Sequence, residues 1–149
     1  MNLDSTEVLL LVEDNPNDVM LFRRALSKVG SATDLHVVRD GEEALAYLRG
    51  DGFFADRSLH QLPGLILLDL KLPKKSGHEV LAWLSRQPGL KSVPVVVLST
   101  SLQTADITSA CELGANSYLV KPVLFDDLVE TVRALDHYWF QLNQRPKTL

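Results

Sequence analysis

Two stretches of this chain, Val8–Val12 and Leu65–Leu68, contain no polar residue, and each stops at acids: Glu13-Asp14 after the first, Asp69 after the second. A strand with one wet face alternates polar and apolar residues. A run that is apolar at every position needs cover on both faces, as in a parallel sheet with helices above and below. Asp69 then stands at the carboxyl end of a central strand, where open α/β sheets place their ligands, and Pro73 and Gly77 break the chain soon after it.

The remaining residues alternate in the same sense. Asn15-Pro16, with Asp18 in the first turn, is a helix start: a side-chain cap, a preset φ and an acid near the positive dipole end. Val19, Phe22, Leu26 and Val29 follow at helical spacing, and Gly30 stops the helix. Leu35–Val38 reads as a strand, and Asp40-Gly41 opens a helix with Ala44, Leu45 and Leu48 facing inward. Residues 50–64 form a long connection carrying Phe53 and Phe54, which we expect to pack on the neighbouring helix.

Gly77–Gln87 reads as a helix with Val80, Leu81 and Leu84 inward; Pro94–Leu98 is a strand that delivers Ser99-Thr100-Ser101. Thr104–Leu113 is a weakly amphipathic helix, with Ile107, Ala110 and Cys111 on its buried face. Ser117–Val120 is the last strand, followed by Lys121-Pro122. A final helix runs from about Phe125 to Leu142, with Phe125, Leu128, Val129, Val132, Leu135, Trp139 and Leu142 on one stripe, and Arg145–Leu149 is a frayed tail.

Five strands alternating with five helices predict right-handed parallel crossovers. The expected fold is α/β: a doubly wound, five-stranded parallel sheet of order 2-1-3-4-5, flavodoxin-like, with an extended C-terminal helix. We expect one domain over 1–149, its core spanning about 6–135, with the helix extension and tail at 136–149.

Charge and cysteine usage exclude several roles. A net charge of −4 without a basic stripe argues against nucleic acid. No apolar stretch approaches the roughly 20 residues of a membrane span, and the polar start Met1–Glu7 has no signal-peptide pattern. The single Cys111 cannot form an internal disulfide and fits a reducing cytoplasm. His36, His60, His78 and His137 show no metal-ligand spacing and read as surface or loop residues. With the chain ending at its fifth helix, we expect no attached effector.

In a sheet of this order the carboxyl ends of strands one, three, four and five converge. That gathers Glu13, Asp14, Asp69, Ser99 and Lys121. Like charges about 4 Å apart repel by roughly 4 kcal/mol at an effective dielectric near 20, so three acids need positive compensation. Lys121 supplies part, and a hard, oxygen-bound cation such as Mg²⁺ the rest. A carboxylate beside such an ion, with a hydroxyl and a lysine, can accept a phosphoryl group as a nucleophile.

These residues, in this order and spacing, resemble the receiver domains of two-component response regulators across nearly the whole chain. The likeness rests on Glu13-Asp14 after Val8–Val12, Asp69 before Leu72-Pro73 and Gly77, Ser99 after Val95–Leu98, and Lys121-Pro122 after Tyr118. It implies that Asp69 is the phosphoacceptor, fed by a histidine kinase, and that Asp14 and Asp69 ligate Mg²⁺, with Glu13 acting mainly through water. The backbone carbonyl of Lys71 completes the protein's share of the metal shell, Lys121 contacts phosphoryl oxygens, and the Lys121-Pro122 bond is cis. The segments 12–18, 67–77 and 94–101, with the long 50–64 loop and the aromatic last helix, look especially like the single-domain regulators of cyanobacterial phytochrome kinases.

The same likeness implies that Ser99 turns toward a bound phosphoryl group and Tyr118 rotates into the space vacated. Ser99 stands where most receivers have Thr, Thr100 can crowd the phosphoryl path, and Lys71 and Ser101 occupy the variable positions beside the site. Ile107, Tyr118, Tyr138, Trp139 and Phe140 suggest a homodimer through the fourth helix, fifth strand and fifth helix. The chain is then a signalling phosphoacceptor rather than an enzyme acting on other molecules.

Other readings fit less well. An aspartate-dependent phosphatase typically has a second acid two residues beyond its nucleophile, where this chain has Lys71. A flavin module needs a glycine- and hydroxyl-rich phosphate loop where Glu13-Asp14 stand. A degenerate receiver acting as a scaffold has usually lost its acids.

Overall fold

The structure, a computed structural model, describes residues 7–146. The aliphatic runs form strands β1 (Val8–Val12), β3 (Leu65–Leu68) and β4 (Val95–Ser99), buried at every position. The more polar β2 (Asp34–Val38) and β5 (Ser117–Val120) take the two edges. All pairings are parallel and the order is β2-β1-β3-β4-β5, as expected.

Strand alternation divides the core into two layers. Leu10, Val12, Ile66, Leu68, Val95 and Val97 point to one face. They meet α2 (Gly41–Arg49), α3 (Gly77–Ser85) and α4 (Thr104–Glu112). Leu9, Leu11, Leu65, Leu67, Val96 and Leu98 point to the other face. There they meet α1 (Pro16–Val29) and α5 (Phe125–Asp136). The helix starts are those their sequences specify: Asn15 accepts the N–H groups of Asn17 and Asp18, Asp40 that of Glu43, and Ser76 that of Glu79.

Several local expectations need correction. Cys111 is exposed. Ala110 and Leu113 pack on the core layer, and Cys111, one step of about 100° beyond Ala110, turns outward. The last helix changes geometry at His137: residues His137–Leu142 form a π-type turn, closed by the Asn143 N–H on the Tyr138 carbonyl at 2.7 Å. That wider turn rotates later side chains off the stripe, so Trp139 packs inward while Leu142 is exposed. Arg145 is not frayed, because its guanidinium hydrogen-bonds the Glu7 carboxylate; residues 147–149 of the expected tail lie outside the described residues.

The 50–64 connection is held in place rather than loose. The Arg57 guanidinium donates to the carbonyls of Tyr47 (2.7 Å), Leu48 (2.7 Å) and His60 (3.0 Å), closing the end of α2. Phe54 packs 5.1 Å from the Tyr47 ring, as expected, but Phe53 is exposed. His36 is half-buried on β2, with Nδ1 2.7 Å from the Tyr47 hydroxyl, and is not a surface residue. Tyr47 is fully buried, and burial pushes its phenol up to about 12.

Among the described residues, no helix is long and apolar enough to cross a membrane.

Candidate functional site

The register of the sheet assembles the site. Val12 of β1 stands beside Leu68 of β3, and the Asp69 N–H donates to the Val12 carbonyl at 3.1 Å. The next residues on the two central strands, Glu13 and Asp69, therefore leave the sheet side by side. On the other flank Ser99 pairs with Val120, and the Lys121 N–H donates to the Ser99 carbonyl at 2.8 Å. Lys121 thus enters at the same level. Gly77 lets the following loop close tightly, since a Cβ there would stand 2.4 Å from the Asp69 carbonyl oxygen.

Ligand oxygens of Glu13, Asp14 and Asp69 all lie within 4.8 Å of one another. Glu13 and Asp69 are buried and Asp14 is exposed, so the cluster opens to solvent on one side. The Lys121 ammonium donates to Glu13 Oε1 (2.5 Å), Asp18 Oδ2 (3.0 Å) and Asp69 Oδ2 (3.2 Å). Asp18 belongs to this group, although its place in the first helical turn reads equally as an acid on the helix dipole. A signal was available: in a helix whose first turn abuts the site, Asp18 lies only four residues beyond Asp14.

Burial drives the Glu13 carboxyl above the usual range, partly opposed by its hydrogen bonds from Lys121 and the Asn15 N–H. Burial works against the Lys121 charge too. The hydrogen bond to Glu13, the charge of Asp69 and the hydrogen bond to Asp18 outweigh it, holding the ammonium well above the ordinary lysine range. Lys121 is therefore a fixed cation at neutral pH. One ammonium facing four carboxylates leaves the site strongly anionic. The donor set is oxygen only, part charged and part open to water, which suits a hard divalent cation that keeps some of its waters.

Ser99 is fully buried, and its hydroxyl accepts the Ser101 N–H at 3.2 Å. The Ser101 carbonyl in turn accepts the Tyr118 hydroxyl at 2.9 Å. The Ser101 hydroxyl donates to Asp106 Oδ2 at 2.5 Å. Ser101 thus joins the expected switch residues, Ser99 and Tyr118, through its own backbone. Thr100 points to solvent, and Lys71 is exposed with its N–H 3.4 Å from Asp69 Oδ1. The Lys121-Pro122 bond is trans, like all peptide bonds among the described residues, against the expected cis form. Trans is the lower-energy isomer by about 0.5–1 kcal/mol even before proline, and the Lys121 ammonium reaches the acids with it.

The other expected interface residues divide. Ile107 and Tyr118 are half-buried and Tyr138 is exposed. Trp139 and Phe140 pack against the core layer under α1 and α5.

A family model described as the response regulator receiver domain matches residues 9–133. A probable methanogenesis regulatory protein, FilR2, of Methanothrix harundinacea is 43% identical over 142 residues, covering 93% of this chain and 87% of that protein. The crystal structure of the phosphorylated cyanobacterial phytochrome response regulator RcpA superposes with a TM-score of 0.88 at 40% identity, covering 96% of this chain and all of that one (100%). The Mn(2+)-bound form of response regulator Rcp1 superposes with a TM-score of 0.84 at 39% identity, covering 95% and 99%.

Proposed function

The chain belongs to the response regulator receiver domain family, and on that premise we propose that it takes a phosphoryl group from the phosphohistidine of a histidine kinase onto Asp69. The observation that carries this reading is the buried Asp69 carboxylate at the strand end, one oxygen on Lys121 and its neighbours anionic. A carboxylate oxygen of Asp69 attacks phosphorus, the P–O bond forms, and the N–P bond breaks with its electron pair going to the imidazole. Lys121, a permanent cation, is placed to neutralise charge on the phosphoryl oxygens, and Ser99 offers a hydroxyl within the same strand tip.

Asp14, Asp69 and the Lys71 carbonyl would hold a Mg²⁺ ion, with Glu13 acting mainly through water. That ion, when bound, neutralises phosphoryl oxygens and aligns the transfer. The manganese-bound Rcp1 relative supports a divalent ion at such a site. Kinship with RcpA supports a phytochrome-type kinase as the donor. The exposed apolar side chains of Met20, Leu102, Val123 and Leu124, on segments flanking the site residues, suit a docking protein.

For the output, new charge beside Ser99 would draw its hydroxyl away from the Ser101 N–H, loosening the Ser101 carbonyl that Tyr118 holds. We expect a homodimer through α4, β5 and α5, including Ile107, Tyr118, Tyr138, Trp139 and Phe140, as the readout. The phosphatase and scaffold readings are weakened by Lys71 two residues past Asp69 and by the intact acid set.

The test is transfer from a histidine kinase labelled on its histidine. Label leaving the kinase and appearing on this chain, but not on Asp69→Asn, supports the reading; label that never moves to wild type contradicts it. Sedimentation of the same samples reads the output, with Ser99→Ala expected to accept label without a change in association.

A further inference from the structure

Lys121 holds three carboxylates, and they differ in what phosphorylation would do to them. Asp69 is the group to be esterified, so its 3.2 Å contact with the ammonium is given up or remade. Glu13, at 2.5 Å, belongs to the acid cluster whose oxygens lie within 4.8 Å of one another. Asp18, at 3.0 Å, is outside that cluster. Its backbone is fixed by the capped first turn of α1, where its N–H donates to Asn15 Oδ1 at 3.3 Å.

A cavity of about 50 Å³ lies against Lys121, lined also by Glu13, Asp18, Phe22, Leu98 and Pro122. Lys121 thus borders a cavity, while its ammonium is held at the head by its carboxylate partners. An ammonium has three N–H donors, and all three are engaged. Once Asp69 is esterified, one donor must turn to a phosphoryl oxygen while the other two keep the group at the site.

We propose that Asp18 is a positioning residue for phosphoryl transfer: its carboxylate, on the first turn of α1, tethers the Lys121 ammonium at the mouth of the site while Lys121 exchanges Asp69 for the phosphoryl group. The proposal rests on the phosphoacceptor reading of Asp69. The Asp18 side chain is 38% exposed and that of Lys121 16%, so the bond is shielded enough to orient Lys121, yet Asp18 can be changed without opening the core.

The test uses full-length wild type, Asp18→Ala and Asp18→Asn with Mg²⁺ and acetyl phosphate over a range of donor concentrations, following phosphorylated protein by intact mass. Loss of one charge-assisted hydrogen bond should lower the rate constant at saturating donor about tenfold in Asp18→Ala, with half-saturation changed less than about twofold. Asp18→Asn keeps an acceptor oxygen and should retain most of the rate. Simple removal of negative charge works in the opposite direction, easing the approach of an anionic donor. The Lys121 ammonium ¹H–¹⁵N signal should broaden in Asp18→Ala, with thermal melts confirming that the variant is folded. A rate in Asp18→Ala equal to or above that of wild type overturns the proposal. A wild-type chain that takes no phosphoryl group overturns the parent reading instead.

Discussion

At the amino ends of the strands, Arg145 pairs with Glu7, and the buried Asp136 accepts Ser31 Oγ at 2.7 Å on one oxygen and Gln141 Nε2 at 3.2 Å on the other. At the carboxyl ends, Lys121 serves Glu13, Asp18 and Asp69 at once, with Asp14 beside them. The first set is matched, donor to acceptor, and ties the chain ends to the sheet. The second has more acceptors than donors and stays anionic. Matched polar groups add to the stability of a fold, whereas a surplus of one sign subtracts from it until a ligand arrives. The contrast separates structural polarity from functional polarity within one sheet.

The largest expected consequence is a response to cations. Mg²⁺ at about a hundred times its Kd should stabilise the protein by ~2.7 kcal/mol, raising Tm, with the gain reversed by chelator. A Tm indifferent to divalent ions would break the comparison at its anionic end. Next in size is the matched end. Asp136→Ala should cost about 1–3 kcal/mol in metal-free urea denaturation, because it removes two charge-assisted hydrogen bonds, from Ser31 and from Gln141. The opposite sign is expected at the acidic end: Asp14→Asn should stabilise the metal-free protein by about 0.5–1 kcal/mol through relief of repulsion, and lose most of the Mg²⁺ response.

A further effect appears only in alkali, on the flank where Tyr47 donates to the Gln61 carbonyl at 2.9 Å. Burial raises the Tyr47 phenol to about 12. Because the folded value lies above the unfolded value of about 10, its contribution is complete below pH 10 and disappears as pH rises toward 12. Phenolate absorbance should show one late-titrating tyrosine, absent in Tyr47→Phe. If no late component appears, or if it persists in Tyr47→Phe, the burial of this group is wrong.

Much of this was legible in the chain. Val8–Val12 and Leu65–Leu68 have one structural solution, and their terminal acids locate the site because parallel register leaves Glu13 and Asp69 adjacent. Ser99 and Lys121 follow from the two strands beyond. What stayed hidden depends on angle rather than position. Asp18 serves the helix dipole and Lys121 with the same carboxylate; its spacing from Asp14 hints at the second use, and the fold shows it. Cys111 differs from the inward Ala110 by one helical step. Tyr47 carries a hydroxyl that reads as wet, yet it is buried because His36 and Gln61 satisfy it. The π-type turn after Asp136 has no periodic signature, since the same aromatic residues fit either winding.

The most direct measurement is intact mass of wild type and Asp69→Asn after incubation with Mg²⁺ and acetyl phosphate, followed by peptide mapping of any adduct. One phosphoryl group on wild type, mapped to Asp69, lost on brief alkaline treatment and missing from the variant, is the expected result. An unmodified wild type, or an adduct that persists in Asp69→Asn, would contradict the assignment of this strand end as the acceptor.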